Sequence, residues 1–298
     1  MRGVLTGDRY VWQKKRLNRT FSALKENKLA AVGLIIISVL VLMAVFAPLI
    51  TLRDPYEQNL EIRLTGSNEK YLMGTDQFGR CLFSRLIYGI RISLTTGVIS
   101  AVLTMGIGVF TGLLAGYFGG IMDELIMRIT DIVLSFPSIV LTLVIAGVLG
   151  PDLKNIIIAL AAVGWTKYAR VVRGSVLSIK EQEYVESAKA LGASDIYLLC
   201  RHILPNCMGP VIVIMTLSIG GAILSIAGLS FLGLGAQPPT PEWGMMLNQG
   251  VPFMRRAPHL TIFPGLAIMI TVLAFNFLGD GLRDIMDPRL KSKLFQKF

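Results

Sequence analysis

Histidine is almost absent from this chain: His202 and His259 are the two among 298 residues. Two isolated histidines give poor support to histidine-based catalysis or to a histidine metal cluster. Cysteine is nearly as scarce. Cys81, Cys200 and Cys207 have no metal-ligand spacing and supply no disulfide framework. No G-x-x-x-x-G-K-[ST] occurs, so the chain lacks a phosphate-cradling loop of that kind. A nucleophile elbow and an H-E-x-x-H helix are missing too. No apolar run carries an acidic residue near its centre, where a proton- or sodium-coupled carrier often needs one. These absences leave no catalytic residue and no metal ligand to nominate, no cofactor for this chain, and a substrate pathway that stays unassigned.

Charge is thin as well. It amounts to 16% of residues, where soluble domains carry about 25%. In its place stand long apolar runs: 53% of residues are hydrophobic and the mean hydropathy is +0.62. The composition describes an all-α integral membrane protein. The net charge of +10 is better explained by basic membrane-helix ends than by nucleic acid. Residues 1–28 hold eight lysines and arginines against Asp8 and Glu26, which predicts a cytoplasmic N-terminal tail. Leu29–Ile50 would span ~33 Å as a helix, and is read as a span rather than a cleavable leader.

Five further spans are predicted: 92–118, 121–149, 155–177, 208–234 and 260–282. Together they make a six-helix domain over 29–282, with outer loops over 52–91 and 235–259 and a cytoplasmic loop over 178–206. The basic tail 283–298 is also predicted to be cytoplasmic. Gly108, Gly112 and Gly116 form a doubled G-x-x-x-G, a row that lets a neighbouring helix approach closely. Pro137 should kink the third span. Arg128 and Asp131 are three apart and suited to pair on one helix face. Arg80 and Arg85 have Asp76 as a candidate partner. Trp243 suits a membrane–water interface.

The longest charged stretch between apolar runs in the second half is Glu181–Asn206, EQEYVESAKALGASDIYLLCRHILPN. Tyr184, Ala188 and Leu191 fall on one helical face. Gly192 suits a helix C-terminus that needs positive φ. Ser194 can cap a second short helix, with Asp195 at its positive end, and that helix should stop near Pro205. Two short helices held between two spans make either a docking knob or a plain connecting loop.

Here the residues carry a resemblance. Glu186-Ser187-Ala188, then Gly192, then Leu204-Pro205 resemble the coupling motif of ABC importer permeases: E-A-A, three residues, G, nine residues, I-x-L-P. Ser187 stands for the first alanine and His202 for the isoleucine, and His202-Ile203-Leu204-Pro205-Asn206 is similar to the peptide-importer branch. The run from Gly74-Thr75-Asp76 through Gly79-Arg80, Ser84-Arg85 and Arg91-Ile92-Ser93 resembles the outer-loop signature of dipeptide, oligopeptide and nickel permeases. So do Ser135-Phe136-Pro137, Phe231 to Gly235, Pro241-Glu242-Trp243-Gly244 and Gly279-Asp280-Gly281. Cys81 departs from the aspartate usual in that family.

The resemblance implies a type I ABC importer permease of the C-type, in a bacterial or archaeal cell membrane. It implies a second related permease, two cytoplasmic ATPase subunits that bind ATP and Mg, and an extracytoplasmic binding protein. Cargo would be di- or oligopeptides, or nickel or a metal chelate, which the shared motifs do not separate. Glu186, Ser187, Ala188, Gly192, Leu204 and Pro205 would face the ATPase. A stand-alone channel or membrane enzyme is the disfavoured alternative.

Overall fold

The computed structural model describes residues 27–286. The two tails, on which the terminal orientation was read, therefore lie largely outside the described residues. Helices α1 (Lys28–Val45) and α2 (Ala47–Ile50) are followed by a loop with one 3-10 turn, Leu60–Ile62. Then come α3 (Leu82–Phe118), α4 (Gly120–Leu134), α5 (Ser138–Leu149) and α6 (Leu153–Lys180). The knob holds α7 (Glu183–Ala190) and α8 (Asp195–Leu198), and a π turn, Leu199–Ile203, joins it to α9 (Leu204–Phe231). Short α10 (Trp243–Gly250) and long α11 (His259–Met286) complete the fold.

Five helical stretches are long and apolar enough to cross a membrane: α1, α3, α6, Asp195–Phe231 and α11. The pair α4–α5 makes a sixth when counted as one broken span, bent by 91°. That bend is far more than a kink. Pro137 has no N–H to give and disfavours helical geometry at Phe136, so the backbone breaks over Ser135–Pro137 rather than curving through it.

Small residues set the packing. A β-carbon at Gly33 of α1 would lie 3.0 Å from the Leu278 nitrogen of α11. The glycine row of α3 lies against α6: a β-carbon at Gly112 would sit 2.7 Å from Ala169 O and 2.8 Å from Val172 Cβ, and one at Gly116 would sit 2.8 Å from Val176 Cβ. Without side chains at these places the two backbones approach closely, as lipid-embedded helices require when no hydrophobic drive separates protein from lipid.

The bundle has two distinct ends. Asn27 Nδ2 donates to Asp284 Oδ2 at 3.2 Å, and Lys180 Nζ donates to Gly116 O at 3.0 Å. These bonds bring the start of α1 and the ends of α3, α6 and α11 to the end that carries the knob. The other end holds the 51–81 loop and α10, where His259 Nε2 lies 3.3 Å from Thr75 O.

Three sequence expectations change here. Helix α3 starts at Leu82, so residues 82–91, read as loop, are helical. Arg85 is buried within that first part, and its charge made the stretch read as solvated. Arg128 does not pair with Asp131. It lies 3.8 Å from Glu124, while Asp131 reaches Arg170 of α6 at 2.6 Å. Trp243 is fully buried rather than interfacial, its Nε1 donating to Leu86 O at 3.2 Å. Gly89 makes room for it: a β-carbon there would meet the indole at 2.8 Å.

Candidate functional site

The knob is built from local rules. Glu183 and Glu186 occupy the first turn of α7 and Lys189 the last, each at the helix end that favours its charge. The helix closes on a paired C-terminal motif: Gly192 N donates to Lys189 O at 3.0 Å and Ala193 N to Ala188 O at 3.2 Å. The reversal puts Gly192 at φ +86°, where a side chain is strained. Ser194 caps α8, accepting from Tyr197 N at 3.4 Å.

Beyond α8 the helix does not stop at Pro205. It widens into the π turn, where Leu204 N donates to Leu199 O, and continues as α9 with Pro205 in its first turn. A proline there gives up an N–H that a regular helix would bond four residues back, and the widened turn lets the chain pass it without a break.

The knob is anchored by few groups. Val185, Leu198 and Ile203 are buried, and Ile203 joins a cluster with Tyr168, Val172, Val176, Cys207 and Val211. Tyr117 Oη at the end of α3 donates to Asp195 Oδ1 at 2.6 Å. The knob exposes two large apolar side chains, Leu191 at 89% and Ile196 at 75%, with Tyr184 and Tyr197 half-exposed, among exposed charged groups that include Glu183, Glu186, Lys189 and Arg201. Of the residues carried over from the motif, Glu186, Ser187, Gly192 and Pro205 are exposed, and Ala188 and Leu204 are half-buried. Local spacing could mark none of the anchors, because Tyr117 and Asp195 are 78 residues apart.

Near the knob, α4 is tied to α6 by ion pairs. Arg173 holds Asp123 with two bonds, 2.5 and 2.6 Å long, and Arg170 holds Asp131. At the far end, the loop signature folds into one buried network. Asp76 Oδ1 accepts from Phe78 N and Arg80 N, and Oδ2 pairs with Arg80 Nε at 2.6 Å and Arg85 Nε at 3.5 Å. Arg85 Nη1 donates to Pro55 O and Pro239 O, tying the two loops together. Glu242 caps α10 through Gly244 N and Met245 N. Burial pushes its carboxyl above the ordinary value, although those two N–H groups pull it down. No group of three or more metal-binding side chains occurs among the described residues.

The family described as binding-protein-dependent transport system inner membrane component matches residues 108–292, and the N-terminal TM domain of oligopeptide transport permease C matches residues 16–68. The dipeptide transport system permease protein DppC of Alkalihalophilus pseudofirmus is 48% identical over 272 residues, covering 91% of this chain and 90% of that protein. The glutathione transport system permease protein GsiD of Pectobacterium atrosepticum is 48% identical over 227 residues, covering 76% and 75%. A solved inward-facing structure of the MetNI methionine ABC transporter shares the fold, with a TM-score of 0.54 at 19% identity over 68% of this chain and 97% of that one. With its apolar spans, its helical knob and these matches, the chain belongs to the binding-protein-dependent transport system inner membrane components, as a permease subunit of an ABC importer rather than an enzyme.

Proposed function

We propose that this chain forms half of the translocation pore of an ATP-driven importer for di- and oligopeptides, and that Glu181–Asn206 couples it to a cytoplasmic ATPase. The observation that carries the coupling role is the knob itself: a capped, anchored helix pair that exposes Leu191 and Ile196 within a charged surface. Such a face fits a groove on a partner. The names of the dipeptide and glutathione permease relatives support a peptide cargo.

In this reading the partners are a second related permease, two ATPase subunits that hold ATP and Mg, and an extracytoplasmic binding protein. The chain sits in a bacterial or archaeal cell membrane with both termini and the knob in the cytoplasm. Leu191 and Ile196 enter the ATPase groove. Glu186 stabilises the first turn of α7, Gly192 sets the reversal, and Leu204-Pro205 carry the displacement into α9. The knob is continuous with α6 and α9, and α3 follows through Lys180–Gly116, Tyr117–Asp195 and the glycine row. Closure of the ATPases thus moves three spans as one body.

The test is reconstitution of this chain with these partners in proteoliposomes. Di- or tripeptide should accelerate ATP hydrolysis and accumulate inside, while a nickel chelate should do neither. Stimulation by the chelate alone would overturn the peptide assignment. Failure of the ATPases to co-purify with this chain would overturn the coupling role.

A further inference from the structure

The two short helices of the knob have little of their own to hold the angle between them. Helix α7 has only eight residues, well below the length at which isolated helices persist in water, whereas α8 is the first turn of the continuous Asp195–Phe231 stretch. Their shared buried content is Val185, Leu198 and Ile203. Across the open side of the reversal lies a third element. The His202 ring sits between Tyr184 of α7, with ring centroids 6.0 Å apart, and Tyr197 of α8, at 5.5 Å with planes 65° apart. The second contact is edge-to-face, the arrangement aromatic quadrupoles favour. Asn206 Nδ2 adds bonds to His202 O at 2.6 Å and to Tyr184 Oη at 3.3 Å.

His202 sits in the π turn that joins α8 to α9. One extra residue in the Leu199–Ile203 turn rotates everything after it relative to α8. Within this turn the His202 ring lies against Tyr184 and Tyr197. The same turn admits Pro205, so the brace and the continuous α9 come from one local irregularity.

We propose that His202 is a positioning residue of the coupling knob: its ring, wedged between Tyr184 and Tyr197, fixes the angle at which α7 and α8 present Leu191 and Ile196 to the ATPase. The inference rests on the coupling role proposed above. It assigns to the imidazole a packing task, which another flat ring can perform and a methyl group cannot.

Two measurements test it. In the reconstituted importer, His202→Ala should keep the ATPases bound but raise the ATP hydrolysed per peptide imported by about two- to tenfold, the range an aromatic contact represents. His202→Phe should return the ratio close to that of the parent. An unchanged ratio in His202→Ala overturns the proposal. So does a His202→Phe variant as defective as His202→Ala, which would place the role in the ring nitrogens.

The second measurement needs no ATPase. Spin labels at Glu183→Cys and Ile196→Cys, in a Cys200→Ser chain held in lipid nanodiscs, report the distance across the reversal. His202→Ala should broaden that distribution and His202→Phe should leave it narrow. A narrow distribution in His202→Ala overturns the brace even if the coupling role stands. ATPases that never bind the parent chain overturn the coupling role and leave this distance test intact.

Discussion

The two ends of the bundle handle charge in opposite ways. At the loop end, Asp76, Arg80 and Arg85 are almost wholly removed from water and locked by backbone carbonyls and amides from two separate loops. At the knob end, Asp131 and Arg170 each keep about half of their side-chain surface exposed and Arg128 and Glu124 more, while the Arg173–Asp123 pair is mostly withdrawn from water. A buried charge is costly unless every partner stays in place, so such a network tolerates one geometry. An exposed pair gains little and loses little when it parts. The loop end is therefore built to hold its shape. The knob end keeps several of its pairs in contact with water, so they hold less firmly.

The sharpest break of that contrast is Asp76→Ala. It leaves two buried guanidinium groups sharing no carboxylate, and should cost about 3–5 kcal/mol, read as a large drop in thermal stability of the purified chain in detergent. Gly112→Val comes next. Its side chain would press on Ala169 O and Val172, and overpacking of this kind costs about 1–3 kcal/mol. Lowered thermal stability together with reduced transport is the expected result, and normal stability would place that row in open space.

Gly192→Val acts at the knob instead. A β-branched residue in the left-handed region loses about 1–2 kcal/mol locally, so α7 should re-aim while the bundle stays folded. Transport should fall relative to ATP hydrolysis, with membrane insertion unchanged. Normal coupled transport in this variant would count against the docking role.

Glu242 offers a pH test of the loop end. Its folded carboxyl titrates above its unfolded value, so the folded state binds the proton more tightly. Stability from this group is present below the ordinary carboxylate pKa of about 4.3 and is lost as pH rises through the folded value. Glu242→Gln should flatten that part of the stability profile. An unchanged slope would mean that another group titrates there. Smallest of all should be Asp131→Asn, which opens a half-exposed pair and should shift stability by less than about 1 kcal/mol. A loss comparable to Asp76→Ala would erase the distinction between the ends.

Much of the knob could be read locally. Gly192 and Ser194 act through backbone geometry within a few residues, so their spacing carries the reversal and the cap. The same local logic failed at Pro205, because a proline ends a regular helix but not one that has widened into a π turn. It failed at Arg128 and Asp131, where the spacing suited a pair but the Asp131 carboxylate accepts instead from the Arg170 guanidinium, 39 residues away. Trp243 read as interfacial because nothing nearby showed that Gly89, on another helix, leaves a slot for the indole.

Apolar length, charge bias and the small-residue row are properties of the chain itself, and they determined that it is helical, membrane-embedded and closely packed. Lipid imposes this, since a spanning backbone must satisfy its own hydrogen bonds. The tertiary structure alone decided which helix the glycine row meets, that Arg85 belongs to a helix and a buried network, and that α4 and α5 part at 91°. Each of those outcomes depends on groups far apart in sequence, whose pairing energy exists only once the fold has brought them together.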